Sequence, residues 1–204
     1  MTAMQHHPDE LLKLKDILTR NSLAFEEVQL SSGENSTVYV DGKLATCRAE
    51  AMPLIGRIFL SKIKDEGWTP EAVGGLTVGA DPIAMAIARE SLATPPTINA
   101  FIVRKAVKEH GKHRLVEGIE KPEGCNVVII DDVCTKGGST AQAIETARKV
   151  GMNVLGAACL VDRQQGATQL LVREFNLRLA SIFTLADLLA HKELLDAEPV
   201  RVAG

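Results

Sequence analysis

The sequence predicts an α/β fold: a central, mostly parallel sheet flanked by helices, with a small N-terminal hood over the edge where the strands end. Three observations predict it. From residue 72 to residue 191, apolar strand-like runs alternate with helix-like segments, and such alternation implies right-handed crossovers into a parallel sheet. Val127, Val128, Ile129 and Ile130 are consecutive β-branched residues, the pattern of a strand covered on both faces. Before residue 46 the pattern differs, with one amphipathic segment followed by short strands around a polar turn.

Each element has its own signal. Pro8, Asp9 and Glu10 start a helix whose apolar stripe is Leu11, Leu14 and Leu18, with acids in the first turn as the helix dipole favours. Phe25 to Leu30 and Thr37 to Val40 read as a hairpin around Ser31-Ser32-Gly33-Glu34-Asn35, outside the main sheet. A helix is expected over Ala49 to Lys64, a strand over Ala72 to Gly75, a helix over Pro82 to Ser91 and a strand over Ile98 to Val103. After a charged loop come strand Val127 to Ile130, helix Thr140 to Val150, strand Val154 to Val161 and helix Ala167 to Phe175. Strand Leu179 to Phe183 and helix Leu185 to His191 complete the series. With no internal repeat or long linker, residues 1–204 form one expected domain, the hood covering about 1–45 and the core about 46–204. Ligands then belong at the C-terminal ends of the strands.

Composition narrows the class. Of 204 residues, 46% are hydrophobic and 24% charged, with a net charge of −3, which suits a small-molecule enzyme better than a nucleic-acid binder. Aromatics at 3% leave no stacking surface for single strands. Cys47, Cys125, Cys134 and Cys159 form no C-x-x-C pair, so neither structural zinc nor a disulfide framework is indicated and a reducing compartment fits. No apolar run has the length of a membrane span or a signal core. The expectation is a cytoplasmic protein that engages neither membrane nor nucleic acid.

The stretch from Val127 to Thr140 carries the chemistry. Asp131 and Asp132 sit where the strand is expected to end, and Thr135, Gly137, Gly138, Ser139 and Thr140 open the next helix. Backbone N–H groups and hydroxyls converging at a helix start suit a phosphate monoester. The two acids can accept hydrogen bonds from vicinal ribose hydroxyls and hold a hard divalent cation through water. Two acids and a glycine pair also end strands in ordinary tight turns; the ordered combination favours a site. Neither the Gly-x-x-x-x-Gly-Lys-Ser/Thr loop nor the Gly-x-Gly-x-x-Gly fingerprint is present. The stretch resembles the phosphoribosyl pyrophosphate signature of type I phosphoribosyltransferases.

A second feature is cationic: Arg104, Lys105, Lys108, His110, Lys112, His113 and Arg114, with Gly111 and Gly118 giving backbone freedom. A charge run is usually a solvated face, but one that follows a strand and contains glycines suits a lid over a polyanion. Arg104, Lys105, Lys108, His110 and Gly111 are similar to the flexible-loop pattern Arg-Lys-x-x-Lys-x-His-Gly of orotate phosphoribosyltransferases. That resemblance implies a homodimer in which loop 104–114 reaches the neighbouring subunit's site. The sequence departs from the pattern after Gly111, where Lys112, His113 and Arg114 replace a small, glycine-rich continuation.

Ser32, Gly33, Ser36, Tyr39 and Asp41 resemble the same family's early motif, which offers main-chain groups to the pyrimidine. Ser31 stands where some members carry a lysine, and Lys43 lies nearby. Asp162, Arg163, Gly166 and Ala167 match a further family motif, and a guanidinium there can grip a carboxylate such as that of orotate. Thr77, Val78 and Gly79 occupy the family's pyrophosphate turn without its Tyr-Lys pair, leaving backbone amides to hold the anion.

The resemblance implies the type I phosphoribosyltransferase fold and transfer of 5-phosphoribosyl from phosphoribosyl pyrophosphate to orotate, giving orotidine 5′-monophosphate and pyrophosphate. Its implied catalytic set is Lys105, Lys108, His110, Asp131 and Asp132, with Arg104 and Arg163 binding substrate. Magnesium is the implied cofactor, held through substrate and water rather than by direct protein ligands. A purine acceptor on the same fold, and a non-catalytic sensor of phosphoribosyl pyrophosphate, are the competing readings. Cys134, inside the signature turn, is expected to lower activity when oxidised or alkylated. Trp68 reads as packing rather than base stacking, and the other three cysteines as small apolar residues.

Overall fold

The computed structural model describes residues 8–25, 28–29, 35–36, 38–105 and 115–197. Helix α1 (Pro8–Ser22) opens the chain and is followed by the short strands β1 (Leu23–Ala24), β2 (Val28–Gln29), β3 (Asn35–Ser36) and β4 (Tyr39–Val40). β1 pairs with β4 and β2 with β3, both antiparallel, so the expected hairpin exists as an interrupted ribbon outside the main sheet. A four-residue helix, α2 (Lys43–Thr46), then follows; its length gives too little periodicity to read from sequence. Helix α3 (Met52–Asp65) begins three residues later than expected, with proline in its first turn, where the missing N–H costs nothing.

The chain then alternates: β5 (Ala72–Leu76), α4 (Ala80–Ser91), β6 (Asn99–Val103), β7 (Val116–Glu117), β8 (Asn126–Cys134), α5 (Gly138–Lys149), β9 (Asn153–Asp162), α6 (Ala167–Phe175), β10 (Leu179–Thr184) and α7 (Leu185–Ala197). The main sheet runs β10-β9-β8-β5-β6-β7. All its pairings are parallel except β7, a short edge strand that returns antiparallel beside β6. Because β5 lies between β8 and β6, the chain leaves it toward one edge and later returns to its other side. This reversal opens a crevice at the strand ends.

Alternation along β8 explains its apolar run. Val128 and Ile130 pack into a core with Leu14, Leu18, Ile55 and Ile87 from α1, α3 and α4, whereas Val127 and Ile129 pack with Ala143, Ile144 and Leu171 from α5 and α6. Successive side chains enter opposite faces, so a strand buried on both sides must be apolar at every position. The register between β8 and β9 breaks once: Val127 faces Val154, but Val128 faces Gly156. The extra residue lies on β9, and β8 alternates without interruption.

β8 does not stop at Ile130 as the sequence suggested. It continues through both aspartates to Cys134, paired as Asp131 with Cys159, Val133 with Val161 and Cys134 with Asp162. Backbone pairing depends on the partner strand rather than on side-chain polarity, and β9 is long enough to carry the ladder onward. α7 likewise runs beyond His191, whose Nε2 lies 2.9 Å from Asp16 Oδ1 of α1. Trp68 is buried and packs its ring on Gly156, where a side chain would overlap it. Packing is therefore its role.

Candidate active site

Strand alternation gives Asp131 and Asp132 opposite faces. Asp131, in phase with Ile129, points toward α5, where the Thr140 hydroxyl donates to its Oδ2 at 2.8 Å and the Asp132 N–H to its Oδ1 at 3.0 Å. Asp132, in phase with Ile130, enters the space between the starts of α2 and α4. A Cβ on Gly42 would stand 2.9 Å from Asp132 Oδ2, and one on Gly79 would overlap Oδ1. Glycine at both positions makes room for the carboxylate.

A cavity of about 310 Å³ opens beside them, lined by Lys43, Leu76, Thr77, Val78, Gly79, Lys105, Asp131, Asp132 and Ser139. It lies at the ends of β5 and β8, where the sheet order reverses. Burial, with the neighbouring Asp132 charge adding to it, pushes the Asp131 carboxyl up to about 7, against the lowering effect of the Thr140 hydroxyl. Asp131 thus titrates well above the ordinary carboxylate range. A cation or a ribose hydroxyl there would favour the ionised form.

The start of α5 has the form that suits an anion. Gly137, at φ 83, turns the chain into the helix, and the N–H groups of Gly138, Ser139 and Thr140 have no earlier carbonyl within the helix to bond. Gly138 and Ser139 are exposed, and Thr135 is partly buried on the same turn. Thr140 is buried and its hydroxyl donates to Asp131, which its side chain orients.

Other expected residues are placed unevenly. Lys105 is exposed and lines the cavity of its own chain. Arg104 closes the base of the cationic loop: its N–H donates to Leu115 O at 2.9 Å and its Nη1 lies 3.5 Å from Glu117 Oε1. Arg163 is buried at the end of β9, donating from Nη2 to Val38 O at 2.9 Å, and is not among the cavity-lining residues. Its guanidinium ties the N-terminal ribbon to the sheet edge. Lys108, His110, Ser32 and Gly33 lie outside the described residues.

Cys134 proves inaccessible. It is buried, with Sγ 3.3 Å from Thr140 Oγ1 and 3.9 Å from Asp131 Oδ2. A hydrogen bond with Cys159, burial and nearby charge push its thiol well above the ordinary range. Such a thiol is a poor nucleophile, and its burial argues against the expected sensitivity. Cys47, by contrast, is exposed.

Lys43 is the cavity residue whose role the sequence left open. Its Nζ lies 2.7 Å from Asp41 Oδ1 and 3.8 Å from Asp132 Oδ2. Its position just after the early Tyr-x-Asp motif was the available signal. Gly42, which clears space for Asp132, gave no signal because its role depends on a residue ninety positions away. Among the described residues no group of three or more His, Cys, Asp or Glu gathers to hold a metal.

Comparison with known proteins agrees with this geometry. Residues 49–177 match the phosphoribosyl transferase domain family. The orotate phosphoribosyltransferase of Synechocystis sp. is 42% identical over 159 residues, covering 78% of both chains. That of Mycobacterium avium is 41% identical over 179 residues, 88% of this chain and 96% of the relative. Two crystal structures of the Mycobacterium tuberculosis H37Rv orotate phosphoribosyltransferase superpose on 89% of this chain and 99% of their own. The complex with Fe(III) dicitrate has a TM-score of 0.76 at 40% identity, and that with 5-phospho-α-D-ribosyl 1-diphosphate 0.72 at 39%. With a type I fold, an aspartate pair at the sheet's reversal point and relatives of this identity across most of its length, the chain belongs to the orotate phosphoribosyltransferases of the phosphoribosyltransferase family.

Proposed function

We infer that this protein transfers the 5-phosphoribosyl group of phosphoribosyl pyrophosphate to N1 of orotate, releasing pyrophosphate and forming orotidine 5′-monophosphate for pyrimidine synthesis. The observation that carries the reading is the aspartate pair divided between two faces of β8. Asp131 addresses the α5 start, suited to the 5-phosphate, and Asp132 the turn 77–79, suited to the leaving pyrophosphate. The curated relatives support orotate over a purine acceptor or a sensing role.

The chemistry asks for electrostatics rather than a nucleophile. Breaking the C1–oxygen bond leaves positive charge on ribose and negative charge on pyrophosphate, and preorganised charges aimed at those positions lower the barrier. Asp131 and Asp132 fix the ribose and face its developing positive charge. Lys105, with Arg104, Lys108 and His110 of the same loop, addresses the leaving group and excludes water. Main-chain groups of Ser32 and Gly33 are assigned to the base, and Arg163, which holds the ribbon through Val38, to its carboxylate.

Magnesium is the cofactor in this reading. Hard carboxylate oxygens at Asp131 and Asp132 suit an ion carried by the substrate and held through water; when bound it neutralises charge on the pyrophosphate. The reading includes a cytoplasmic homodimer. In it loop 104–114 reaches the partner's site, and Lys105 also lines the cavity of its own chain.

The deciding measurement is phosphoribosyl pyrophosphate consumption with magnesium and, separately, orotate, uracil, adenine, hypoxanthine or xanthine, with products identified by mass. Orotate-only turnover is expected. Turnover with a purine instead would refute the base assignment.

A further inference from the structure

We propose that Lys43 is a second cation, in addition to Lys105, that binds the diphosphate group of the phosphoribosyl donor beside the turn 77–79. The inference rests on the proposed function for its ligand, and on local geometry for everything else. The turn offers no cationic side chain, and the Thr77 hydroxyl is already donated to Asp81 Oδ2 at 2.7 Å. The turn itself therefore offers a polyanion only backbone amides, and Lys105 is the other cation that lines the cavity. The same cavity wall contains two carboxylates, which repel that polyanion unless a positive charge offsets them.

Lys43 is placed to do so. Gly42 and Gly79 lie against the two oxygens of Asp132, so the start of α2 and the pyrophosphate turn flank one carboxylate. Any anion seated on the turn is within reach of a side chain from α2. Asp41 holds Lys43 at both ends, accepting from its backbone N–H at 3.1 Å and pairing with its Nζ at 2.7 Å. The side chain keeps 43% of its surface open and lines the cavity. Its bond to Asp41, opposed by desolvation, raises the Lys43 pKa, and the Asp132 charge adds to the rise; the group stays an ammonium. Asp41 therefore aims a permanent charge, and the diphosphate completes a contact that Asp132 approaches only at 3.8 Å.

A purely structural lysine bridging Asp41 and Asp132 would look similar in the empty cavity, so the test must read ligand affinity. Inorganic pyrophosphate with magnesium is titrated calorimetrically into the wild-type protein, Lys43→Gln and Lys43→Arg, with melting temperatures and orotate KM measured alongside. Lys43→Gln is expected to weaken pyrophosphate by about tenfold or more, the loss of one charge-assisted hydrogen bond. Lys43→Arg should recover most of it, and orotate KM should stay unchanged. Should Lys43→Gln melt early, Lys43→Met keeps the apolar stem and gives the same comparison. Unchanged pyrophosphate affinity in the neutral variants overturns the proposal, as does a loss seen in orotate KM alone. If the wild-type protein binds pyrophosphate in a Lys43-dependent way yet does not turn over orotate, the base assignment fails and this inference stands.

Discussion

Gly79 has no side chain because Asp132 needs the space: a Cβ at that position would overlap Oδ1 of the carboxylate. The backbone at Gly79 is ordinary, at φ −58 and ψ −44, so a substitution there tests the contact without backbone strain. Gly79→Ala is expected to fold normally while displacing Asp132, lowering kcat/KM by on the order of 10²-fold, as for loss of one electrostatic group. Steady-state kinetics beside a thermal melt checks it; full activity would show that Asp132 can move without consequence.

The Asp131 carboxyl gives a pH signature. Its pKa in the fold is about 7, raised from an unfolded value near 3.8. Between those values the folded protein holds a proton that the unfolded chain has released, so this group makes stability fall as pH rises. Asp131→Asn removes that loss and can still accept from Thr140. In ligand-free protein its melting temperature should gain on the wild type from about pH 4 to about pH 7, the window set by those two values. A constant difference across the range would contradict the assignment.

Thiol labelling should follow burial. Brief alkylation of the native protein is expected at the exposed Cys47 first, with Cys134 and Cys159 modified only in denaturant. Activity should survive the native treatment. Mass-spectrometric mapping that found early modification of Cys134 would mean that the β8 and β9 ends open readily.

Trp68 is the single tryptophan, and its ring covers Gly156. Gly156→Ala should destabilise the protein by about 1–3 kcal/mol, the usual cost of overpacking. Urea unfolding followed by tryptophan fluorescence reads this directly, and an unchanged midpoint would contradict the packing.

A shared active site predicts complementation. Lys108→Ala and Asp132→Ala, each inactive alone, should regain part of their activity on mixing if the loop crosses a dimer interface. Subunit exchange without recovery would place the loop over its own subunit.

The parallel sheet was legible because its strands are buried on both faces and read as unbroken apolar runs, as at Val127 to Ile130. What the sequence hid depended on distant partners. The continuation of β8 past Asp131 follows from the length of β9, and the antiparallel return of β7 is only two residues long. Within the site, the aspartate pair and the α5 start were readable from local order. The commitment of Thr140 to Asp131, the burial of Arg163 under Val38 and the wedging of Asp132 between Gly42 and Gly79 are tertiary contacts with no sequence period to betray them.

The broken register between β8 and β9 has a consequence for what length changes the fold can accept. The surplus residue sits in β9, between Val154 and Gly156, and leaves β8 in strict alternation from Val127 to Asp132. A single insertion or deletion in β8 upstream of the acids would exchange their faces, turning Asp131 toward the turn 77–79 and Asp132 toward α5. β9 carries no such paired address and has already absorbed one extra residue. Natural or designed length variation in this sheet is therefore expected to collect in β9 and to spare β8.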